Sequence, residues 1–245
     1  MKTLAVIPAR FASTRLPGKP LVSIAGVPLV VRVLRQMQRC LSVDRIIVAA
    51  DDERIAETVR RAGGECMLTP PELPSGGDRV AWISGRIPSE IVLNVQVDDP
   101  LVGHDMIDPL VAAFSDRDTQ LALLAKRIEK IEEIGSPDIV KMVFDQAGRA
   151  LYFSRSPIPF ERNSGAVFYK HIGPYCWRRD FLLEFFSWDQ TPLEKTESLE
   201  MLRVLEKGYS IKCVPVERDT IEIDTPRDIE ALEQYLAVNG DSVVH

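Results

Sequence analysis

The alternation of short apolar runs with segments of helical period constrains this chain more than any other feature. Residues 4–7 (Leu-Ala-Val-Ile), 45–50 (Arg-Ile-Ile-Val-Ala-Ala) and 91–95 (Ile-Val-Leu-Asn-Val) read as strands, the last typical of a central strand covered on both faces. Between them, residues 28–38 place Leu29, Val30, Val33, Leu34 and Met37 at helical spacing. Residues 52–62 read as a helix stopped by Gly63-Gly64, residues 65–68 as a short strand, and residues 78–85 as a further helix. This β-α-β-α order predicts an α/β fold with a mostly parallel central sheet and helices on both faces. In such sheets the ligand lies beyond the carboxyl ends of the strands, which singles out residues 8–19, 70–79 and 96–101.

The second half is less regular. Residues 121–126, 140–144, 170–177 and 210–216 read as strands, and residues 181–186, 193–206 and 226–236 as helices. Residues 154–166, with Pro157 and Pro159, are expected to leave the sheet as an excursion. No repeat or linker interrupts the chain, so residues 1–237 are expected to form one domain, with residues 238–245 a frayed tail.

Charge and composition then narrow the functions. The formal net charge of −6 argues against nucleic acid as a partner, since such surfaces carry a basic stripe; a small anion needs only a few local cations. No apolar run approaches the roughly 20 residues that span a bilayer, and the apolar start ends at Ile7 with Arg10 and Arg15 following, unlike a signal peptide. No membrane partner is expected. Cys40, Cys66, Cys176 and Cys213 are widely spaced, form no C-x-x-C, and suit a reducing cytoplasm.

Three motifs carry chemistry. Ile7-Pro-Ala-Arg-Phe-Ala-Ser-Thr-Arg-Leu-Pro-Gly-Lys-Pro20 follows the first strand with Arg10, Ser13, Thr14, Arg15, Gly18 and Lys19 before any helix. Free backbone N–H groups can wrap phosphate oxygens there, Arg15 can fork across two of them, and Lys19 is a mobile point charge. A basic surface loop with two proline turns would read the same way, and neither G-x-x-x-x-G-K-[ST] nor G-x-G-x-x-G is present. Asn94-Val-Gln-Val-Asp-Asp-Pro100 ends a buried strand with two carboxylates; Asp98 is placed to hold Mg²⁺ against phosphate, and Asp-Asp-Pro is equally good turn chemistry. In Ile223-Asp-Thr-Pro226, Asp224 or Thr225 can cap the last helix; a cap by Thr225 would free Asp224 for a metal.

Together these motifs resemble the 3-deoxy-manno-octulosonate (Kdo) cytidylyltransferase family. The opening motif is followed in order by Leu73-Pro-Ser-Gly-Gly-Asp-Arg79, Asn94-Val-Gln96 with Asp98 and Pro100, and Ala150-Leu-Tyr-Phe-Ser-Arg155 with Pro157-Ile-Pro159. Then come Lys170-His-Ile-Gly173 with Tyr175, Leu199-Glu200 with Leu202-Arg203, and Asp224-Thr-Pro226. The resemblance implies a nucleotide-diphospho-sugar-transferase-like fold with a small dimerisation excursion, a cytoplasmic homodimer, and transfer of CMP from CTP to Kdo for lipopolysaccharide assembly. It implies that Ala9, Arg10, Ser13, Arg15, Lys19, Ser75, Gly76, Arg79 and Gln96 bind the nucleotide. Lys19, Arg15 and Asp98 would carry catalysis, Asp98 and Asp224 would hold Mg²⁺, and Arg155, His171, Tyr175 and Glu200 would surround the sugar acid. Residue by residue, the last four have bland alternatives: a structural histidine, a core tyrosine, an interface arginine and a solvated helix charge.

The chain departs from the family pattern at Val97, where glycine is usual, at Asp99 for glutamate, at Met201 for glutamine, and at Pro174-Tyr175-Cys176. These lie near the expected sugar and metal positions, so a related acid such as an 8-amino Kdo analogue is an alternative substrate. A non-catalytic nucleotide-binding relative and a uridylyltransferase acting on a sugar phosphate are the readings from other classes.

Overall fold

The computed structural model describes residues 1–12, 15–241 and 243. It divides into two compact units, Met1–Asp108 with Thr220–His245, and Pro109–Asp219.

The first unit runs β1 (Thr3–Ala9), a 3-10 turn (Lys19–Leu21), the short hairpin strands β2 (Ser23–Ile24) and β3 (Val27–Pro28), and α1 (Leu29–Gln38). It continues with β4 (Arg45–Ala50), α2 (Glu53–Arg61), β5 (Glu65–Leu68), α3 (Gly76–Ser84) and β6 (Ile91–Asn94). Its sheet has the order β6-β1-β4-β5, and every pair is parallel. All seven positions of β1 are buried, which is why its residues do not alternate apolar with polar. Because the strands are parallel, the segments after Ala9, Ala50 and Asn94 emerge at the same edge of the sheet. Helix α4 (His104–Ala112) then carries the chain onward; it has Pro109 in its interior, and the sequence pattern had not marked it as a helix.

The second unit contains β7 (Leu121–Arg127), α5 (Ile131–Gly135), β8 (Lys141–Phe144), β9 (Ala150–Ser154), β10 (Tyr169–Arg178), α6 (Arg179–Phe185), α7 (Pro192–Glu197), α8 (Glu200–Glu206) and β11 (Ile211–Val216). Here β11 pairs parallel with β7, while β7–β10, β10–β8 and β8–β9 are antiparallel. The β10–β7 register shifts between Ile172 and Tyr175, at the cis Gly173-Pro174 bond. Proline has no N–H for the ladder, so the ladder steps around it. The helix expected over residues 193–206 is two helices, broken where Ser198 takes φ 54°, a conformation that continues neither. The excursion is as expected: after β9 the chain has no regular structure until β10 begins at Tyr169.

The chain returns to the first unit through α9 (Pro226–Asn239). Leu232 and Leu236 on α9 join Ile24, Leu29, Leu101 and Ile223 in one apolar cluster. The tail departs from expectation at its start. Residues 238 and 239 are still helical, and the Asp241 carboxylate accepts from Arg32 Nη1 at 3.0 Å and Nη2 at 2.8 Å. Arg32 is 2% exposed, and a guanidinium buried that deeply needs a counter-charge, which holds Asp241 in place. Among the described residues no helix is long and apolar enough to cross a membrane.

Candidate active site

The loop after β1 is closed on itself before it reaches the site. Gly18 has φ 68°, a left-handed conformation that costs an L side chain but not glycine, and its N–H donates to Phe11 O at 3.1 Å. This starts the 3-10 turn whose first residue is Lys19. A second tie comes from the far end of the chain: Ile223 N–H donates to Asp98 O at 2.8 Å, which sets Asp224 beside Asp98. Thr225, with Asp228 three residues on, forms the capping box of α9. Asp228 accepts from the N–H groups of Asp224 (3.0 Å) and Thr225 (2.7 Å), so the Asp224 carboxylate is not spent on the cap.

These ties build a pocket of about 360 Å³. Pro8, Arg10, Ala12, Arg15 and Lys19 line it from the first loop, Gly76 from α3, Gln96, Val97 and Asp98 from the segment after β6, and Asp224 from the start of α9. The Lys19 ammonium donates to Asp98 Oδ2 at 2.6 Å and to Asp224 Oδ1 at 3.1 Å, while Arg15 pairs with Asp224 Oδ2 at 2.9 Å. Burial by itself would lower the Lys19 pKa, but attraction and hydrogen bonding from the two carboxylates outweigh it and the net shift is upward. Lys19 is therefore cationic at neutral pH. Arg10, Arg15 and Lys19 together face two carboxylates, leaving positive charge to receive an anion.

Asp98 and Asp224 point at one place, already held by a cation, the Lys19 ammonium. Among the described residues no group of three or more His, Cys, Asp or Glu could enclose a metal. Two carboxylates without a closed cage fit Mg²⁺ shared with phosphate oxygens and water.

Not every expected nucleotide residue lines this pocket. Gly76 does, and a Cβ there would come within 3.3 Å of Pro8 Cγ, a tight contact that glycine avoids where α3 starts beside β1. Gln96 does also, with its amide donating to Asn94 Oδ1 at 3.3 Å. Ser75 is the cap of α3, in a box with Asp78, and its hydroxyl is used there. Ala9 is fully buried in β1. Arg79, which the resemblance assigns to the nucleotide, does not line this pocket. It is fully buried, and its guanidinium donates to Thr69 Oγ1 and to the carbonyls of Pro70 (3.0 Å), Pro71 (3.4 Å) and Leu73 (3.5 Å). Ser13 lies outside the described residues.

The expected sugar-acid residues all lie in the second unit. His171 and Tyr175 on β10 have ring centroids 5.0 Å apart. His171 Nε2 is shut from solvent without a hydrogen-bond partner among the described residues, and desolvation pulls the imidazole pKa down from 6.5 to about 4, so the ring is neutral. Arg155 donates from Nε to Glu197 O and from Nη1 to Pro137 O, both at 2.8 Å. Glu200 opens α8, half-buried, and Met201 beside it is buried. Burial raises the thiol pKa of Cys40 to about 12, Cys66 to about 11 and Cys213 to about 12, and that of Cys176 well above its usual value, so none is a ready thiolate.

Sequence reasoning missed Asp51. It is the first residue after β4, at the same sheet edge as the pocket loops, and that position was the available signal. Its carboxylate accepts from Phe11 N–H at 2.8 Å and from Arg79 Nη2 at 3.3 Å.

A parallel sheet whose strand ends present a cationic loop and two convergent carboxylates defines a nucleotidyltransferase of the α/β class. The comparisons agree with that geometry. The cytidylyltransferase family profile matches residues 4–214. A 3-deoxy-manno-octulosonate cytidylyltransferase of Geobacter sulfurreducens is 43% identical over 96% of this chain and 100% of its own length. One of Syntrophobacter fumaroxidans is 44% identical over 97% and 98%. A solved CMP:2-keto-3-deoxy-manno-octonic acid synthetase complexed with CTP superposes with TM-score 0.94 at 35% identity, covering 98% of this chain and all of that one. The chain belongs to the 3-deoxy-manno-octulosonate cytidylyltransferase family. A 4-diphosphocytidyl-2C-methyl-D-erythritol synthase from Anaerococcus prevotii, at TM-score 0.65 and 17% identity, shares the fold alone.

Proposed function

We propose that this chain transfers CMP from CTP to the anomeric hydroxyl of Kdo and releases pyrophosphate. The carrying observation is the convergence of Lys19, Asp98, Asp224, Arg15 and Arg10 on one pocket from three separate stretches of sequence. In the reaction the sugar oxygen bonds to the α-phosphorus, the bond from that phosphorus to the bridging oxygen breaks, pyrophosphate leaves with that bond's electron pair, and the hydroxyl gives up its proton to water. Arg10 and Arg15 bind the triphosphate. Lys19, kept charged by its carboxylate neighbours, offsets the charge that develops on the α-phosphoryl and leaving oxygens. Asp98 and Asp224 would hold Mg²⁺, which supplies further neutralisation of phosphate charge. Arg155, His171, Tyr175 and Glu200 are assigned to the sugar acid; the neutral His171 ring offers hydrogen bonding without charge. No cysteine takes part.

The reading extends to a cytoplasmic homodimer that feeds lipopolysaccharide assembly. A second substrate reading rests on Val97, whose side chain lines the pocket where the family pattern has glycine: the sugar would be an amino-substituted relative of Kdo. The test is pyrophosphate release from CTP and Mg²⁺ with Kdo, 8-amino-Kdo or sialic acid, beside UTP with sugar 1-phosphates. Release with CTP and Kdo is expected. Release only with the amino sugar moves the assignment to the second reading, and release only with UTP and a sugar phosphate overturns both.

A further inference from the structure

Two of the pocket's walls come from different parts of the first unit. One is the loop after β1, which supplies Arg10 and Ala12; the other is the stretch after β5 that ends in Ser75 and Gly76 at the start of α3. The first wall is an irregular loop and the second an irregular stretch running into the start of α3, and both are tied to one side chain behind them. Asp51 Oδ1 accepts from the Phe11 N–H at 2.8 Å, and Asp51 Oδ2 accepts from Arg79 Nη2 at 3.3 Å. The Asp51 side chain is 10% exposed and Arg79 is fully buried, so this pair is little screened by solvent.

Each end of the tie is itself fixed. Phe11 is covered by the Arg54 guanidinium, 3.6 Å above its ring centroid, and its carbonyl closes the loop on Gly18. Arg79 gathers Thr69 Oγ1 and the carbonyls of Pro70, Pro71 and Leu73, which leaves the proline-rich stretch little freedom of its own. Thr69 is in turn anchored on Ala50 O, the residue before Asp51, through its N–H at 2.8 Å and its hydroxyl at 3.0 Å. A further side-chain tie between the walls is Arg10 Nη1 to Pro74 O at 2.9 Å, on an exposed arginine that borders the pocket.

We infer that Asp51 is a positioning residue that fixes the spacing between the two nucleotide-facing walls. It does not itself line the pocket. It acts on affinity for a ligand that reaches both walls, such as a nucleoside triphosphate, and less on one that reaches only the cationic loop. The inference rests on the cytidylyltransferase reading of this pocket.

The experiment uses the full chain as wild type, Asp51→Ala and Asp51→Asn, titrated calorimetrically with CTP and separately with inorganic tripolyphosphate, followed by steady-state kinetics normalised to active sites. Asp51→Ala is expected to raise the Kd and KM for CTP about tenfold or more, with kcat and the KM for Kdo within about threefold, and to weaken tripolyphosphate binding clearly less than CTP binding. Asp51→Asn keeps the size and an acceptor for Phe11 N–H but loses the charge facing Arg79. It is expected to lie between wild type and Asp51→Ala, and it carries the test if Asp51→Ala fails to fold. Unchanged CTP affinity in a folded variant, or an equal loss for CTP and tripolyphosphate, overturns the inference. A wild-type chain that does not bind CTP overturns the functional reading instead.

Discussion

At the scale of single residues the site turns on charges held close together. Lys19 touches both Asp98 and Asp224, so removing either carboxylate alters the lysine as well as any cation the pair would hold. Asp98→Ala is expected to reduce pyrophosphate release roughly 100-fold or more while the thermal midpoint stays near wild type, because the side chain is partly exposed and the backbone bond from Ile223 survives. Full turnover in that variant removes Asp98 from the site. His171 gives a pH prediction of definite sign. Its pKa is about 4 in the folded chain against 6.5 for the ordinary group, so between those values the unfolded chain binds the extra proton and the folded chain does not. Stability is fully present above pH 6.5 and falls as the pH drops towards 4, by on the order of 3 kcal/mol if no other group intervenes. Urea unfolding of wild type and His171→Phe at pH 7 and pH 4.5 checks this: the substitution should flatten the difference, and an identical acid loss in both would clear His171 of it. The loops that build the pocket were legible in the sequence only through their joint resemblance to the family, because each motif alone also reads as ordinary loop or turn chemistry. The burial of Arg79 was not legible, because its motif position says nothing about it. Asp51 went unnoticed because one acidic residue after a strand looks like ordinary turn chemistry.

At the scale of elements, the parallel strands of the first unit were readable because buried strands cannot hide their apolar runs. The breaks were less readable. Residues 193–206 keep helical periodicity across Ser198, and only the backbone reveals that the chain turns there. Pro109 concealed α4, since proline inside a helix argues against one from sequence alone. Of the alternatives left open at residues 223–226, the structure selects the cap by Thr225 and Asp228, which leaves Asp224 to Lys19 and Arg15. Asp228→Ala is therefore expected to cost about 1 kcal/mol of stability, the usual scale for a lost cap. It should also weaken nucleotide binding, because the N–H of Asp224 loses the acceptor that orients it. Chemical denaturation together with a CTP titration separates the two effects. Loss of stability with unchanged CTP affinity would mean that the cap serves the helix alone.

At the scale of the whole molecule, the formal charge of −6 coexists with a cationic pocket because only a few side chains are needed to receive a small anion. What the sequence shows less directly is which surface remains uncovered in one copy of the chain. In the second unit, Phe160 is 88% exposed and Val167 42%, both in the irregular stretch between β9 and β10, and Leu151 on β9 is 60% exposed. Single exposed apolar residues are common, but a phenylalanine left 88% exposed is the kind of surface that a partner covers. A homodimer that covers this stretch gives a concrete expectation. Phe160→Asp should convert a dimeric chain into a monomer in size-exclusion chromatography with light scattering. Its effect on the monomer's own stability should stay within about 0.5 kcal/mol, because a ring this exposed contributes little packing to its own chain. A charged group at the centre of a dimer interface would be desolvated without a partner, and that penalty drives the separation. If Phe160→Asp stays dimeric, the interface lies elsewhere on the surface; if wild type itself runs as a monomer, these residues are exposed for a reason other than self-association.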